Sequence, residues 1–239
     1  MKPKQVILSA IIIATTILQA CNISGITGNK KVVKQNRKVS ENFTSVKVGE
    51  GINLFLSQGE KTSITVEADE NIQDLLKTEI ENGTLKIYFT DGVGNATKNV
   101  YVTMPEIEEI SASSAAEAQT ETKIVSEKLT IDVSSGAELK ADIKTDRLIC
   151  ESSSGGETEL SGTCISAELK ASSGGETNAE KLEADTVTAK ASSGGEVSVF
   201  VIKKIKANAS SGGDILYYGN PETKDINTSS GGNVKHKTK

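Results

Sequence analysis

Acidic residues recur at regular distances in the C-terminal half of this 239-residue chain. Each follows two small residues, usually Gly-Gly, and neighbours in the series are separated by 18 to 20 positions. The series consists of Glu138, Glu157, Glu176, Glu196 and Asp214. Repeated carboxylates suggest three kinds of chemistry: weak coordination of Ca²⁺, hydrogen bonding to a polar ligand such as a glycan, or acid–base cleavage of a glycosidic bond.

A Ser-Ser-Gly-Gly motif or a close variant precedes each of these acids. The first serines of the six motifs are Ser134, Ser153, Ser172, Ser192, Ser210 and Ser229, and a degenerate copy begins at Ser113. A nucleophilic serine needs a base within hydrogen-bond reach, and the single histidine, His236, lies near the C-terminus. The repetition therefore indicates a structural corner, in which glycine permits positive φ, and no catalytic serine is predicted.

Apolar and polar residues alternate on both sides of each motif, as in Leu129, Ile131 and Val133, which predicts strands with one buried face. A unit of about 19 residues cannot bury its own core and must stack on its neighbours. We therefore predict an all-β fold, a right-handed parallel β-helix of about 19 residues per turn. A left-handed hexapeptide helix would show small residues at three corners per turn, whereas here only one corner per turn is marked. A calcium-binding nonapeptide roll needs an Asp inside its glycine turn, and the Ser-Ser-Gly-Gly motif has none.

The region before the repeats is predicted to form one domain with them, spanning residues 39–239. Residues 111–234 form the repeat array, and residues 39–110 form a first turn plus a capping insertion. The first turn is indicated by Val48-Gly49-Glu50-Gly51, which aligns with Val133-Ser134-Ser135-Gly136. The insertion contains strand patterns, a short helical candidate at 70–80 and a turn at Asn82-Gly83. Such a cap would cover exposed strand edges, which otherwise promote aggregation.

The N-terminus has the features of an export signal. Two lysines precede a 13-residue apolar run, too short to span a bilayer as a helix, and Leu18-Gln19-Ala20-Cys21 resembles a bacterial lipobox. We predict a signal peptide at 1–20, lipidation at Cys21 and a flexible tether at 21–38. The membrane would then be a partner through the lipid anchor. An ordinary secretory signal with an incidental cysteine is the alternative.

The amino-acid composition limits which other partners and cofactors the protein could bind. The predicted mature chain has 27 − 2 = 25 basic residues and 32 acidic residues, and this net negative charge argues against nucleic acid as a partner. Cys150 and Cys164 occupy apolar positions of the alternation, which favours buried free thiols, although they could pair in an oxidising compartment. No cofactor is predicted, and two cysteines alone do not form a zinc site, which leaves weak Ca²⁺ binding by the acidic series as the metal chemistry that the sequence allows.

Gly51-Ile52-Asn53 after Val48, the inserted strands and the Ser-Ser-Gly-Gly array occur here in a characteristic order. In this order residues 39–239 resemble the auto-transporter adhesin head domain called the GIN domain, formerly a domain of unknown function. The resemblance implies an exported, often lipid-anchored, right-handed β-helix of Bacteroidetes-type bacteria. It implies a role in adhesion, and it brings no catalytic residues.

These observations predict a non-catalytic outer-membrane lipoprotein of the cell envelope, facing the periplasm or the exterior, that presents a surface for adhesion. Its ligand would be a glycan or an extracellular protein. One alternative is a structural or stress-related envelope protein without a specific ligand, and another is a carbohydrate-active β-helix enzyme. The acidic series is either a solvated face whose charges are relieved by nearby lysines or a column that binds a ligand.

Overall fold

The computed structural model describes residues 25–238, so that the predicted signal peptide and Cys21 lie outside the described residues. This part of the chain is almost entirely β-structure. Its strands are β1 Val32–Arg37, β2 Ser45–Val48, β3 Asn53–Gln58, β4 Ser63–Asp69, β5 Leu76–Glu81, β6 Thr84–Phe89, β7 Lys98–Met104, β8 Glu109–Ala112, β9 Glu117–Thr120, β10 Ile124–Ser134, β11 Glu138–Ser153, β12 Glu157–Ser172, β13 Glu176–Ser192, β14 Glu196–Ala209, β15 Asp214–Tyr218, β16 Thr223–Thr228 and β17 Asn233–His236. A search of this range for a transmembrane helix finds none; its helical element is a three-residue 3₁₀ turn, Glu70–Ile72.

Strands β8 to β17 form a parallel solenoid in which each turn pairs with the next. The register joins Leu148 to Ala167 and Cys150 to Leu169, so that residues one repeat apart are direct neighbours. The same relation continues through β13, β14 and the pair β15 and β16. The predicted parallel β-helix of about 19 residues per turn is therefore confirmed.

Each Ser-Ser-Gly-Gly motif forms a tight corner between two strands. At the third corner of the array Ser154 and Gly155 both have positive φ, 51° and 73°, and the Gly156 N–H donates to the Ser153 carbonyl at 2.8 Å. Positive φ at both central residues of a four-residue turn is typical of type I′. Gly49-Glu50-Gly51-Ile52 has the same geometry, which confirms the predicted alignment of the first turn.

The interior is a narrow stack of aliphatic and small side chains. One inward column runs through Ile131, Cys150, Leu169, Ala189 and Ala207, all buried. Both cysteines are free thiols, as the alternation favoured, and burial raises the pKa of each to about 12. They therefore remain protonated and buried at neutral pH.

The cap extends the N-terminal end of the solenoid. Strands β2 and β3 form the first turn and pair in parallel with β6 and β7, which in turn pair antiparallel with β5 and β4. The helix predicted at 70–80 is wrong. Ile72 and Leu76 are buried at helical spacing, but the chain makes only one 3₁₀ turn before β5 forms a hairpin with β6 through the Asn82-Gly83 turn.

The prediction of a flexible tether at 21–38 is also wrong for residues 25–38, the part of this segment that the structure describes. Strand β1 pairs antiparallel with β4 along six residues, and Ile26 forms a bridge to Val93. The Gln73 side chain holds β1 by donating to the Val33 carbonyl at 2.8 Å. The sequence gives little sign of this strand because β1 is an edge strand with exposed side chains, and hence lacks an apolar alternation.

Candidate ligand-binding face

The predicted acidic residues lie in one straight column on the outside of the solenoid. Each is directly paired in register with the next, from Glu138 to Asp214, and all are exposed. The structure adds Glu117, which pairs with Glu138. We call the six residues the acidic column: Glu117, Glu138, Glu157, Glu176, Glu196 and Asp214. The degenerate corner that begins at Ser113 was the sequence signal that could have identified Glu117.

Amide side chains end the acidic column on both sides. Asn53 of the first turn pairs with Glu117, and its Nδ2 donates to Asn99 Oδ1 at 2.9 Å. At the other end Asn233 pairs with Asp214 and donates to its Oδ1 at 2.8 Å. The charged part of the column is therefore confined to six consecutive turns.

Direct ion pairs with lysines are absent from the acidic column in the part of the chain that the structure describes. Within residues 25–238 none of its carboxylates has a lysine, arginine or histidine nitrogen within 4.0 Å. Two other lysines bind acids outside the column: Lys181 contacts Glu159 at 2.8 Å and Lys123 contacts Asp142 at 3.1 Å. The column carboxylates thus keep their acceptor capacity for a ligand or for water.

Glu176 shows the electrostatic effect of this arrangement. Partial burial raises the pKa of its carboxyl group, and the neighbouring charges of Glu196 and Glu157 raise it further. A raised pKa in the folded state means that folded Glu176 binds a proton more readily than unfolded Glu176 does. Its contribution to stability therefore falls as the pH rises from its unfolded pKa through its folded pKa.

Glu176→Gln should accordingly raise the melting temperature at pH 7 by about 1–2 °C, because it removes one charge from the column. The gain should disappear below about pH 3, where the carboxyl group is protonated in both the folded and the unfolded state. Thermal unfolding, monitored by circular dichroism at pH 7 and at the acidic pH, measures the difference in melting temperature. Glu183→Gln, on the same strand but outside the column, is the control. A lower melting temperature for Glu176→Gln at pH 7 would contradict the expectation.

A second outward column runs beside the first, two residues further along each strand. Its members in register are Tyr101, Phe55, Gln119, Lys140, Glu159 and Asn178. Phe55 and Tyr101 stack with ring centroids 4.8 Å apart and an interplanar angle of 15°. The sequence does not reveal this pair, because Phe55 and Tyr101 lie on β3 and β7, which are separated in the chain by β4, β5 and β6.

Two shallow depressions lie between the columns. The first is bounded by Asn53, Phe55, Glu117, Gln119, Glu138 and Lys140. The second continues along the array and is bounded by Glu138, Lys140, Glu157, Glu159, Glu176 and Asn178. Together they form a strip that offers carboxylate acceptors, amide and ammonium donors, and one aromatic wall.

The described residues do not bring together the groups needed for metal coordination or for serine catalysis. In the described range no three His, Cys, Asp or Glu side chains converge as a metal-binding group. His236 is directed away from the serine corners: its ring stacks on Tyr217 at 4.7 Å and its Nε2 lies 2.7 Å from the Gly219 carbonyl. Ligand binding is therefore the chemistry that this face fits best.

Solved structures with a similar fold come from Bacteroides and Parabacteroides. A putative adhesin from Bacteroides fragilis is 22% identical, with a TM-score of 0.81, covering 89% of this chain and 100% of its own. A putative adhesin from Parabacteroides merdae is 20% identical, with a TM-score of 0.69, covering 89% and 99%. A protein from Parabacteroides distasonis described as a putative lipid binding protein is 25% identical, with a TM-score of 0.66, covering 90% and 100%.

No protein of curated function matches the chain. A family model described as "Putative auto-transporter adhesin, head GIN domain" matches residues 42–221, about three quarters of the sequence. That description implies a location outside the cytoplasm. The chain therefore belongs to the auto-transporter adhesin head GIN-domain family.

Proposed function

We propose that this protein is a non-catalytic, lipid-anchored component of the cell envelope that adheres to an extracellular ligand through the strip between its two outward columns. The observation that carries the proposal is the acidic column, which has no ion pair within 4.0 Å in the described residues and lies beside polar and aromatic side chains. Carboxylates without ion pairs can accept hydrogen bonds from a ligand without first breaking a salt bridge. The net negative charge of the column favours neutral or cationic ligands over anionic ones.

The proposed anchor has a geometric consequence. The chain is held to the cap from Gly25 onward, where the Ile26 N–H donates to the Gly92 carbonyl at 2.8 Å and Gly28 N–H donates to the Asn95 carbonyl at 3.0 Å. Gly25 is four positions after Cys21 in the sequence, and a chain of that length spans at most about 14 Å. A lipid at Cys21 would therefore keep the cap close to the membrane.

Binding of the purified mature chain to immobilised mucin and to extracellular-matrix proteins tests the adhesive role. We expect saturable binding that weakens when Glu138, Glu157 and Glu176 are changed together to glutamine. Absence of binding to every surface would favour a structural envelope protein. Release of reducing or unsaturated sugar from a polysaccharide would instead identify an enzyme.

The anchor is tested separately in the native host. Metabolic labelling with a fatty acid should mark the wild-type protein and leave Cys21→Ala unlabelled. Protease treatment of intact cells then distinguishes exposure at the exterior from location in the periplasm. An unlabelled wild-type protein would refute the lipid anchor without affecting the binding role.

A further inference from the structure

The aromatic stack of the second column is interrupted on one side. Phe55 lies between Tyr101 and Gln119 in register, and Tyr101 covers one face of its ring. Gln119 is not aromatic, and its Nε2 donates to Glu121 Oε1 at 2.6 Å, just beyond the end of β9. Phe55 and Gln119 both line the first depression.

The depression beside Phe55 combines an apolar wall with a polar rim. Its floor is formed by the backbone at Leu54 and Ala118, whose side chains are buried in the core of the solenoid. Its rim carries the carboxylates of Glu117 and Glu138, the amide groups of Asn53 and Gln119, and the ammonium group of Lys140. We call this depression the Phe55 slot.

The stacked pair is held in place from outside the slot. The Tyr101 hydroxyl donates to Glu67 Oε2 at 2.9 Å, and this hydrogen bond raises the pKa of Tyr101. The ammonium group of Lys34 lies 5.8 Å from the centroid of the Tyr101 ring and 3.5 Å from Glu67 Oε1. These contacts already restrict the two rings in the free protein, so that less conformational entropy is lost when a ligand binds.

These groups match the chemistry of a sugar ring. A pyranose has an apolar face of C–H bonds, which can lie on an aromatic ring, and hydroxyl groups around its edge that both donate and accept hydrogen bonds. The slot supplies the aromatic face, carboxylate acceptors and nitrogen donors. Two carboxylates in the rim oppose an anionic sugar, while Lys140, which has no ion-pair partner within 4.0 Å in residues 25–238, opposes a guanidinium group.

We propose that the Phe55 slot binds one neutral hexopyranose unit of a glycan, with Phe55 as the stacking platform and Glu117, Glu138 and Lys140 as hydrogen-bonding partners. The inference rests on the proposed binding function and specifies its ligand class and its subsite. The second depression, which adjoins the slot through Glu138 and Lys140, provides room for the following units of the same glycan.

Saturation-transfer NMR of the mature chain tests the slot directly. The probes are the methyl glycosides of glucose, galactose, mannose and N-acetylglucosamine at about 10 mM, a range suited to weak binding of single sugars. We expect transfer to at least one neutral glycoside, strongest at protons of the apolar ring face. Methyl glucuronide should give a weaker signal, because the rim carboxylates repel it.

Two variants remove the slot in different ways. Phe55→Ala deletes the platform, and Gln119→Trp fills the slot from an exposed position where the substitution leaves the core unchanged. Both should weaken binding of the best glycoside by about tenfold or more. Tyr88→Ala, which removes an aromatic side chain on β6 of the cap, should bind like the wild type.

The outcomes separate the slot from the broader function. No transfer to any neutral glycoside, or unchanged binding by both variants, would overturn the slot assignment. Stronger competition by arginine methyl ester than by the glycosides would also overturn it and indicate a protein ligand. If both variants still adhere to mucin or matrix proteins as the wild type does, the slot fails and the proposed function stands.

Discussion

Gly175→Ala should lower the free energy of unfolding by about 3 kcal/mol, whereas the same change at the adjacent Gly174 should cost about 1 kcal/mol. A Cβ atom at Gly175 would lie 2.3 Å from the carbonyl oxygen and 2.5 Å from the carbonyl carbon of Ser152 in the preceding turn. These are backbone atoms of a paired strand, so that no side-chain rotation can remove the clash. The whole corner would have to move away from its neighbour.

Alanine at Gly174 destabilises the protein for a different reason from alanine at Gly175. Its φ is +72°, which an alanine adopts with strain, but nothing lies within 4 Å of an added Cβ. The pair therefore separates backbone strain from close packing in a single corner. Gly156 is the first residue at this position of the corner that is a glycine. Ala116 and Ala137 hold the equivalent places in the two preceding corners of the array.

Thermal unfolding of both variants measures the difference. For a chain of this size each kcal/mol corresponds to about 2–4 °C, so Gly175→Ala should melt about 6–12 °C below the wild type and Gly174→Ala about 2–4 °C below it. Ser173→Gly, at another exposed residue with positive φ in the same corner, is a further control and should not destabilise. Equal losses at Gly174 and Gly175 would show that the corners do not stack closely.

The repeat array could be predicted because its period is written in the sequence many times. The alternation and the Ser-Ser-Gly-Gly corners fix the register, and the register alone brings Glu138, Glu157 and Glu176 into one column. A solenoid has this property because each turn contacts only its neighbours. The same reasoning would have found Glu117 had the degenerate corner been extended by one residue.

The cap and the aromatic stack could not be predicted in the same way. Strand β1 lacks an apolar face, and Ile72 and Leu76 imitate helical spacing within a turn and a strand. Phe55 and Tyr101 become neighbours only when β7 returns to pair with β3 after the insertion. No repeat relates these strands, and their pairing therefore depends on long-range contacts that a local pattern does not encode.

Ser152→Ala is expected to cost about 2 kcal/mol, although it removes only one oxygen atom. Ser152 is fully buried, and its hydroxyl lies 2.8 Å from Thr158 Oγ1 and 2.9 Å from Thr177 Oγ1, which are buried as well. Alanine would leave both threonine hydroxyls without this partner in the core. When a buried polar group loses its hydrogen-bond partner, the loss of stability is larger than the contribution of the hydrogen bond itself.

The triple variant Ser152→Ala, Thr158→Val and Thr177→Val should recover most of this loss, because it removes all three hydroxyls and keeps the side-chain volume close to that of the wild type. The protein already uses such residues at neighbouring inward positions, where Ala171 follows Ser152 and Val197 follows Thr177 in register. Chemical denaturation of the single and triple variants measures the two values, with the exposed Thr163→Val as control. A triple variant less stable than Ser152→Ala would mean that the buried hydroxyl network stabilises this part of the solenoid beyond the cost of leaving its members unpaired.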